Sequence, residues 1–113
     1  MRLYLDTSNL TFMVTKSTEA KKDQEGEQKF RRDVNGEKVP MWTTQVLALD
    51  EQNEGGETIA ISTAGAKPET VMGAKVRPVR LEAIPWSNTR GSGVAYRADD
   101  LELLNGSKPN GTK

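Results

Sequence analysis

Few residues in this chain can do chemistry, and they fall into two kinds: aromatic rings and guanidinium groups. The 113 residues include two tryptophans, two tyrosines and two phenylalanines, but no cysteine and no histidine. Trp42 and Trp86 each stand in a run with the composition of a long strand, residues 39–50 and 76–86, and Tyr96 stands in a third run. Arg31 and Arg32 precede an Asn-Gly pair, and Arg77 and Arg80 share the Trp86 run. Arg90 sits in a Ser/Gly-rich stretch and Arg97 follows Tyr96. Rings stack on bases for roughly 1–3 kcal/mol each while cations track phosphates, so this combination suits a surface for single-stranded nucleic acid.

Each of these residues also has an ordinary reading. Trp42 shares a strand face with Thr44, Val46 and Ala48, which marks it as core, since tryptophan is mostly buried. Trp86 follows Pro85 at the mouth of a polar loop and is open to either role. Any single arginine can be a solubilising group paired with Glu37, Glu82, Asp99 or Asp100. The set of arginines, if it converges on one side, points to function.

Other chemistries are poorly supplied. Without histidine the commonest general base and metal ligand are missing. Without cysteine there is no disulfide framework, thiolate zinc site or sulfur nucleophile. The acidic clusters Asp99-Asp100-x-Glu102 and Asp50-Glu51-x-x-Glu54 lack the spacing of a calcium loop. Gly55-Gly56 and Gly91-Ser92-Gly93 precede no helix with the Lys-Ser/Thr of a nucleotide-binding loop, so they read as turns. No enzyme and no cofactor is expected.

The elements that must position the rings are strands. Residues 3–14 read as a first strand with a bend at Thr7-Ser8-Asn9. Residues 15–28 have Ala20 as their one apolar side chain and are expected to form a mobile loop. Asn35-Gly36 suits a type I′ turn that joins two strands in a hairpin. The second of these, residues 39–50, alternates two sets: Trp42, Thr44, Val46 and Ala48 against Met41, Thr43, Gln45, Leu47 and Leu49. A turn at residues 51–57 leads to a short strand with Ile59 and Ile61 inward. Lys67-Pro68-Glu69 predicts a short helix ending at Gly73. The strand at 76–86, a loop at 87–93 and a strand at 94–98 make a last hairpin, closed by Leu101, Leu103 and Leu104. Residues 105–113 have no packing side chain and are expected to be a disordered tail.

This order predicts an all-β domain over residues 1–104, a five- to six-stranded OB-fold-like barrel with one short helix before the last hairpin. In such a barrel the loop after the first strand and the loop of the last hairpin flank the binding face, which is where Arg31, Arg32 and Arg90 fall. Net charge is zero, but residues 1–70 carry 9 basic and 12 acidic side chains and residues 71–113 carry 7 and 4. The first residues hold no apolar run long enough for a signal peptide or membrane span, so a soluble cytoplasmic protein is expected.

Met41-Trp42-Thr43-Thr44-Gln45-Val46-Leu47-Ala48, after the Asp33-to-Gly36 turn, resembles a group of small actinobacterial proteins. These are the replication, integration and excision activators of conjugative plasmids and integrative elements. The resemblance continues through Gly73-Ala74-Lys75-Val76-Arg77-Pro78-Val79 and Gly93-Val94-Ala95-Tyr96-Arg97-Ala98, and covers roughly residues 29–104 in pattern. It implies a single-stranded-DNA-binding-like barrel in a mobile-element setting; a replication or transfer protein is the partner expected if the barrel binds protein instead. The residues themselves nominate Arg31, Arg32, Trp42, Arg77, Arg80, Trp86, Arg90, Tyr96 and Arg97 as the DNA-contacting set. The rival expectation is a non-catalytic barrel that binds another protein, or a second copy of itself, through an exposed strand edge.

Overall fold

The computed structural model describes residues 3–50 and 55–104. Among these, the strands in chain order are β1 (Leu3–Tyr4), β2 (Leu10–Ala20), β3 (Phe30–Arg32), β4 (Lys38–Asp50), β5 (Gly56–Ala64), β6 (Lys75–Val79), β7 (Glu82–Asn88), β8 (Gly91–Arg97) and β9 (Asp100–Leu103). The sheet order is β1-β7-β8-β5-β4-β2-β6-β9, with β3 attached to β4. Because β1 leads directly into β2, the sheet curls back on itself into a barrel-like, all-β wall. Among the described residues no helix is long and apolar enough to cross a membrane. The expected tail at 105–113, and residues 51–54 of the expected turn, lie outside the described residues.

β4 organises the wall. It pairs with β2 on one side and β5 on the other, and its period-2 pattern sends Thr44 and Val46 inward with no exposure at all. Gln45, between them, is exposed. Phe12, Val14, Val46, Ile61, Val76, Leu81, Ala98 and Leu101 form the core, with Leu10, Ala48, Ile59, Tyr96 and Leu103 packed around it. Fully burying a side chain of the larger kinds contributes about 1.5–3 kcal/mol.

The structure departs from the sequence reading in five places. Residues 15–20, expected to belong to a mobile loop, continue β2 along β4 after a register shift beyond Val14. A polar residue fills the inward position there: Thr18 is 7% exposed, and its hydroxyl lies 2.6 Å from that of Thr44 and 2.8 Å from that of Thr70. The expected helix at 67–73 is absent: the end of that stretch makes a single turn, Ala74 N–H donating to Val71 O at 3.0 Å, and is otherwise tied to β2. Gly73 N–H donates to Val14 O at 2.7 Å, and Val14 N–H donates to Ala74 O at 2.8 Å.

The hairpin between β3 and β4 is present, but its turn is not type I′. Only Gly36 has a positive φ (81°), and its N–H donates to Asp33 O at 3.0 Å. That is a type I turn followed by a bulge glycine. The Asp33 carboxylate holds the loop by accepting from the N–H groups of Asn35 and Glu37, both at 2.9 Å. The strand expected at 76–86 is broken at Arg80, which has φ 55°. The break lets β6 serve β2 and β9 while β7 serves β8 and β1. Finally, the loop expected at 87–93 shrinks, since β7 runs to Asn88 and β8 begins at Gly91.

Candidate nucleic-acid interface

Strand alternation assigns side chains to the two faces of the wall. Tyr96, Ala83 and Ile61 are register partners whose shared face turns to the core. The opposite, outer face carries a row formed by consecutive register pairs: Tyr4↔Glu82, Glu82↔Arg97, Ser62↔Arg97, Thr43↔Ser62 and Glu19↔Thr43. One residue from each of β1, β7, β8, β5, β4 and β2 therefore stands side by side across the outside of the barrel.

The middle of this row is cationic. Arg97 binds Glu82 through Nε at 2.9 Å and through Nη2 at 2.5 Å, both to Oε1. Glu82 is 4% exposed, and its Oε2 has no partner among the described residues. Lys21 reaches over β4 to donate from Nζ to Ser62 Oγ at 2.8 Å. Burial, and then the charges of Lys29 and Arg97, hold the Lys21 amine below its ordinary range. Lys29 is fixed beside it, for Lys29 N–H donates to Lys21 O at 2.7 Å and Met41 N–H donates to Lys29 O at 2.9 Å. Arg31 follows two residues later, opposite Val39. Arg31, Val39, Ala64, Gly65, Arg97 and Asp99 are among the residues lining a cleft of about 390 Å³. Lys21, Lys29, Arg31 and Arg97 thus occupy one contiguous surface of β3, β4, β5 and β8.

Trp86 belongs to the same outer face, four residues along β7 from Glu82, or about 13 Å at the usual strand rise. Its indole is 45% exposed. It lies against its register partner Gly93, where an added Cβ would come within 2.9 Å of the ring. The glycine is the floor on which the ring rests. Arg90 stands at the hairpin tip beyond it, where its backbone N–H donates to Asn88 Oδ1 at 2.8 Å.

The remaining nominated residues are distributed differently. Tyr96 faces inward and packs on the core. Trp42 is half-buried, its Nε1 donates to Gly65 O at 2.8 Å, and the Lys67 amine sits 5.6 Å from the ring centroid. Arg32, adjacent to Arg31, points the other way and donates to Gly36 O at 2.8 Å, closing its own hairpin. Arg77 is paired with Glu102 between β6 and β9, away from the outer-face row. Arg80 packs on the Tyr4 ring, donates to its hydroxyl at 2.9 Å and lies 3.8 Å from Asp99. Among the described residues, the side chains of Arg31 and Arg90 have no hydrogen bond or ion pair.

Sequence reasoning passed over Lys21, Lys29 and Ser62. Lys29 and Arg31 flank Phe30, and residues two apart share a strand face. Arg31 and Arg32, grouped as a pair by adjacency, are on opposite faces. Lys21 carries no comparable signal, because its position depends on how residues 15–20 pair.

The acidic residues at 99, 100 and 102 are partly engaged. Glu102 holds Arg77, Asp99 lies by Arg80 and Asp100 Oδ1 accepts from Leu101 N–H. Among the described residues no group of three potential ligands could hold a metal ion. Comparison with known proteins yields no relative: no family model matches the chain, no curated protein matches it and no solved structure matches it.

Proposed function

We propose that this protein is a non-catalytic single-stranded DNA-binding module of the oligonucleotide-binding-barrel kind, working in plasmid or mobile-element replication or transfer. What supports the fold assignment is strand order. β2, β4, β5, the broken β6–β7 and β8 supply five barrel strands, with β5 and β8 parallel at Ile61↔Tyr96 and Ser62↔Arg97. The binding face of that fold is its second and third strands, flanked by the first loop and the last hairpin. Here those are β4 and β5, the region from Lys21 to Glu37, and the Thr89-Arg90 turn. The departure is the helix-free stretch 65–74.

The observation that carries the reading is the half-exposed Trp86 indole on the same outer face as Lys21, Lys29 and Arg31. DNA would stack a base on Trp86 and run its phosphates between Arg90 and the Lys21–Arg31 group. Arg97 would act as a positioning residue, held by Glu82. Trp42 and Tyr96 would contribute to the barrel rather than to the contact.

Titration with oligo-dT at low salt tests this in a Trp42→Phe background, where Trp86 is the one remaining fluorophore of its kind. Binding is expected to quench that fluorescence. Trp86→Ala is expected to weaken binding by about 1–3 kcal/mol, roughly 5- to 150-fold. If neither the fluorescence nor an independent binding signal responds to oligo-dT at low salt, the proposal is wrong.

A further inference from the structure

A strand edge left unpaired is a template for another strand, and proteins guard such edges with charge or proline. β5 and β8 share register only at Ile61↔Tyr96 and Ser62↔Arg97. Residues 56–60 and 91–95 therefore have no ladder partner on their facing sides. The other edges among the described residues are short, charged or interrupted by proline, as β7 is at Pro85 beyond its two rungs with β1. β1 has two residues, β3 carries Arg31 and Arg32, β9 carries Asp100 and Glu102, and the free part of β5 carries Glu57. Residues 91–95 read Gly-Ser-Gly-Val-Ala, with neither charge nor proline. All of them except Gly93 are exposed, Val94 by 48%.

We propose that two copies of this chain form a dimer by pairing their β8 edges antiparallel, with Gly93 on the two-fold axis. The register follows from what bounds the free stretch. The Thr89-Arg90 turn ends it on one side and the β5 ladder ends it on the other. Only with Gly91 opposite Ala95, and Ser92 opposite Val94, does the whole stretch pair without running into β5 of the second copy. The contact is the same patch on both copies, so it closes at two and does not propagate. It is also short, which makes association dependent on concentration.

The pairing joins the two outer faces into one surface. Trp86 lies opposite Gly93, so the two indoles stand three strand spacings apart, about 14 Å, on the same side. The dimer does not depend on the DNA reading, although it would present that reading with a doubled site.

Sedimentation velocity on the full chain without nucleic acid tests it. The wild-type chain is expected to shift from monomer to dimer as concentration rises. Ser92→Lys/Val94→Lys sets like charges against each other across the axis, and association is expected to weaken roughly tenfold or more. Ser92→Glu/Val94→Glu is expected to do the same. Mixing the two variants is expected to restore a heterodimer, because each lysine then faces a glutamate. All four side-chain changes fall on exposed positions, and far-ultraviolet circular dichroism checks that the fold is retained. A wild-type chain that stays monomeric, lysine variants that associate like wild type, or a mixture that fails to recover the dimer would each overturn the proposal.

Discussion

Salt dependence separates cations that touch phosphates from those already spoken for. The outer face offers Lys21, Lys29, Arg31 and Arg90 as charges not engaged in ion pairs among the described residues, whereas Arg77 is paired with Glu102 and Arg97 with Glu82. Each phosphate neutralised on a single strand lowers log K by about 0.7 per decade of salt, so four contacts give a slope near −2.8. Between 50 and 200 mM salt that amounts to about a 50-fold loss of affinity. Lys29→Ala/Arg31→Ala removes two contacts and should bring the slope to about −1.4, a loss of about 7-fold over the same range. Arg77→Ala, by contrast, should leave the slope unchanged. Fluorescence anisotropy of a labelled oligo-dT, measured at several salt concentrations for each variant, provides the slopes. If the double variant keeps the wild-type slope, or Arg77→Ala flattens it as much, the assignment of the binding face is refuted.

Three further outcomes are expected. Arg97→Ala leaves the buried Glu82 carboxylate without its cation and should cost about 3–5 kcal/mol in urea unfolding, while Glu82→Leu/Arg97→Met should recover most of it; a loss below about 1 kcal/mol in the single variant would contradict the buried-pair reading. Arg80 holds φ 55°, so Arg80→Gly should be about 1–2 kcal/mol more stable than Arg80→Ala, both having lost the Tyr4 contacts; equal stabilities would show that the backbone there is unstrained. Lys21 has its pKa lowered from 10.5 by burial and by Lys29 and Arg97, and a bound phosphate would raise it again. Binding should therefore take up a proton at pH values between the two, and affinity should fall as pH rises through that window. Calorimetry in two alkaline buffers of different ionisation enthalpy reads the uptake directly, and identical apparent enthalpies would mean that Lys21 is remote from the phosphates.

Apolar alternation made the centre of the fold legible. The β4 alternation separated Thr44 and Val46 from Gln45 and Leu47, although both sets were apolar enough that the buried one emerged only in the fold, and the Ile59/Ile61 pair was read as inward on β5. Loop chemistry located the β3–β4 hairpin, even though its turn type was different. What stayed hidden was polar burial and tertiary bonding. Thr18 fills a core position with a hydroxyl that pays its way through Thr44 and Thr70, so hydropathy cannot flag it. Residues 67–73 have a helix-start signature, yet the β2 backbone claims Gly73 and Ala74. The candidate site was legible in residue type and less so in geometry. Trp86, Arg31 and Arg90 could be nominated from the sequence, but the neighbours of Arg31 depend on pairings that only the folded chain makes.

The two-rung junction between β5 and β8, backed by Ala98 N–H donating to Ser62 O at 3.0 Å, is a clasp holding the last hairpin to the rest of the wall. Load applied along that hairpin falls on very few rungs at once, as in a zipper pulled from its end. The Ala98 amide hydrogen, which bonds across the seam, should therefore exchange with solvent long before those buried along β2 and β4, and the molecule should first open like a hinged lid at that seam.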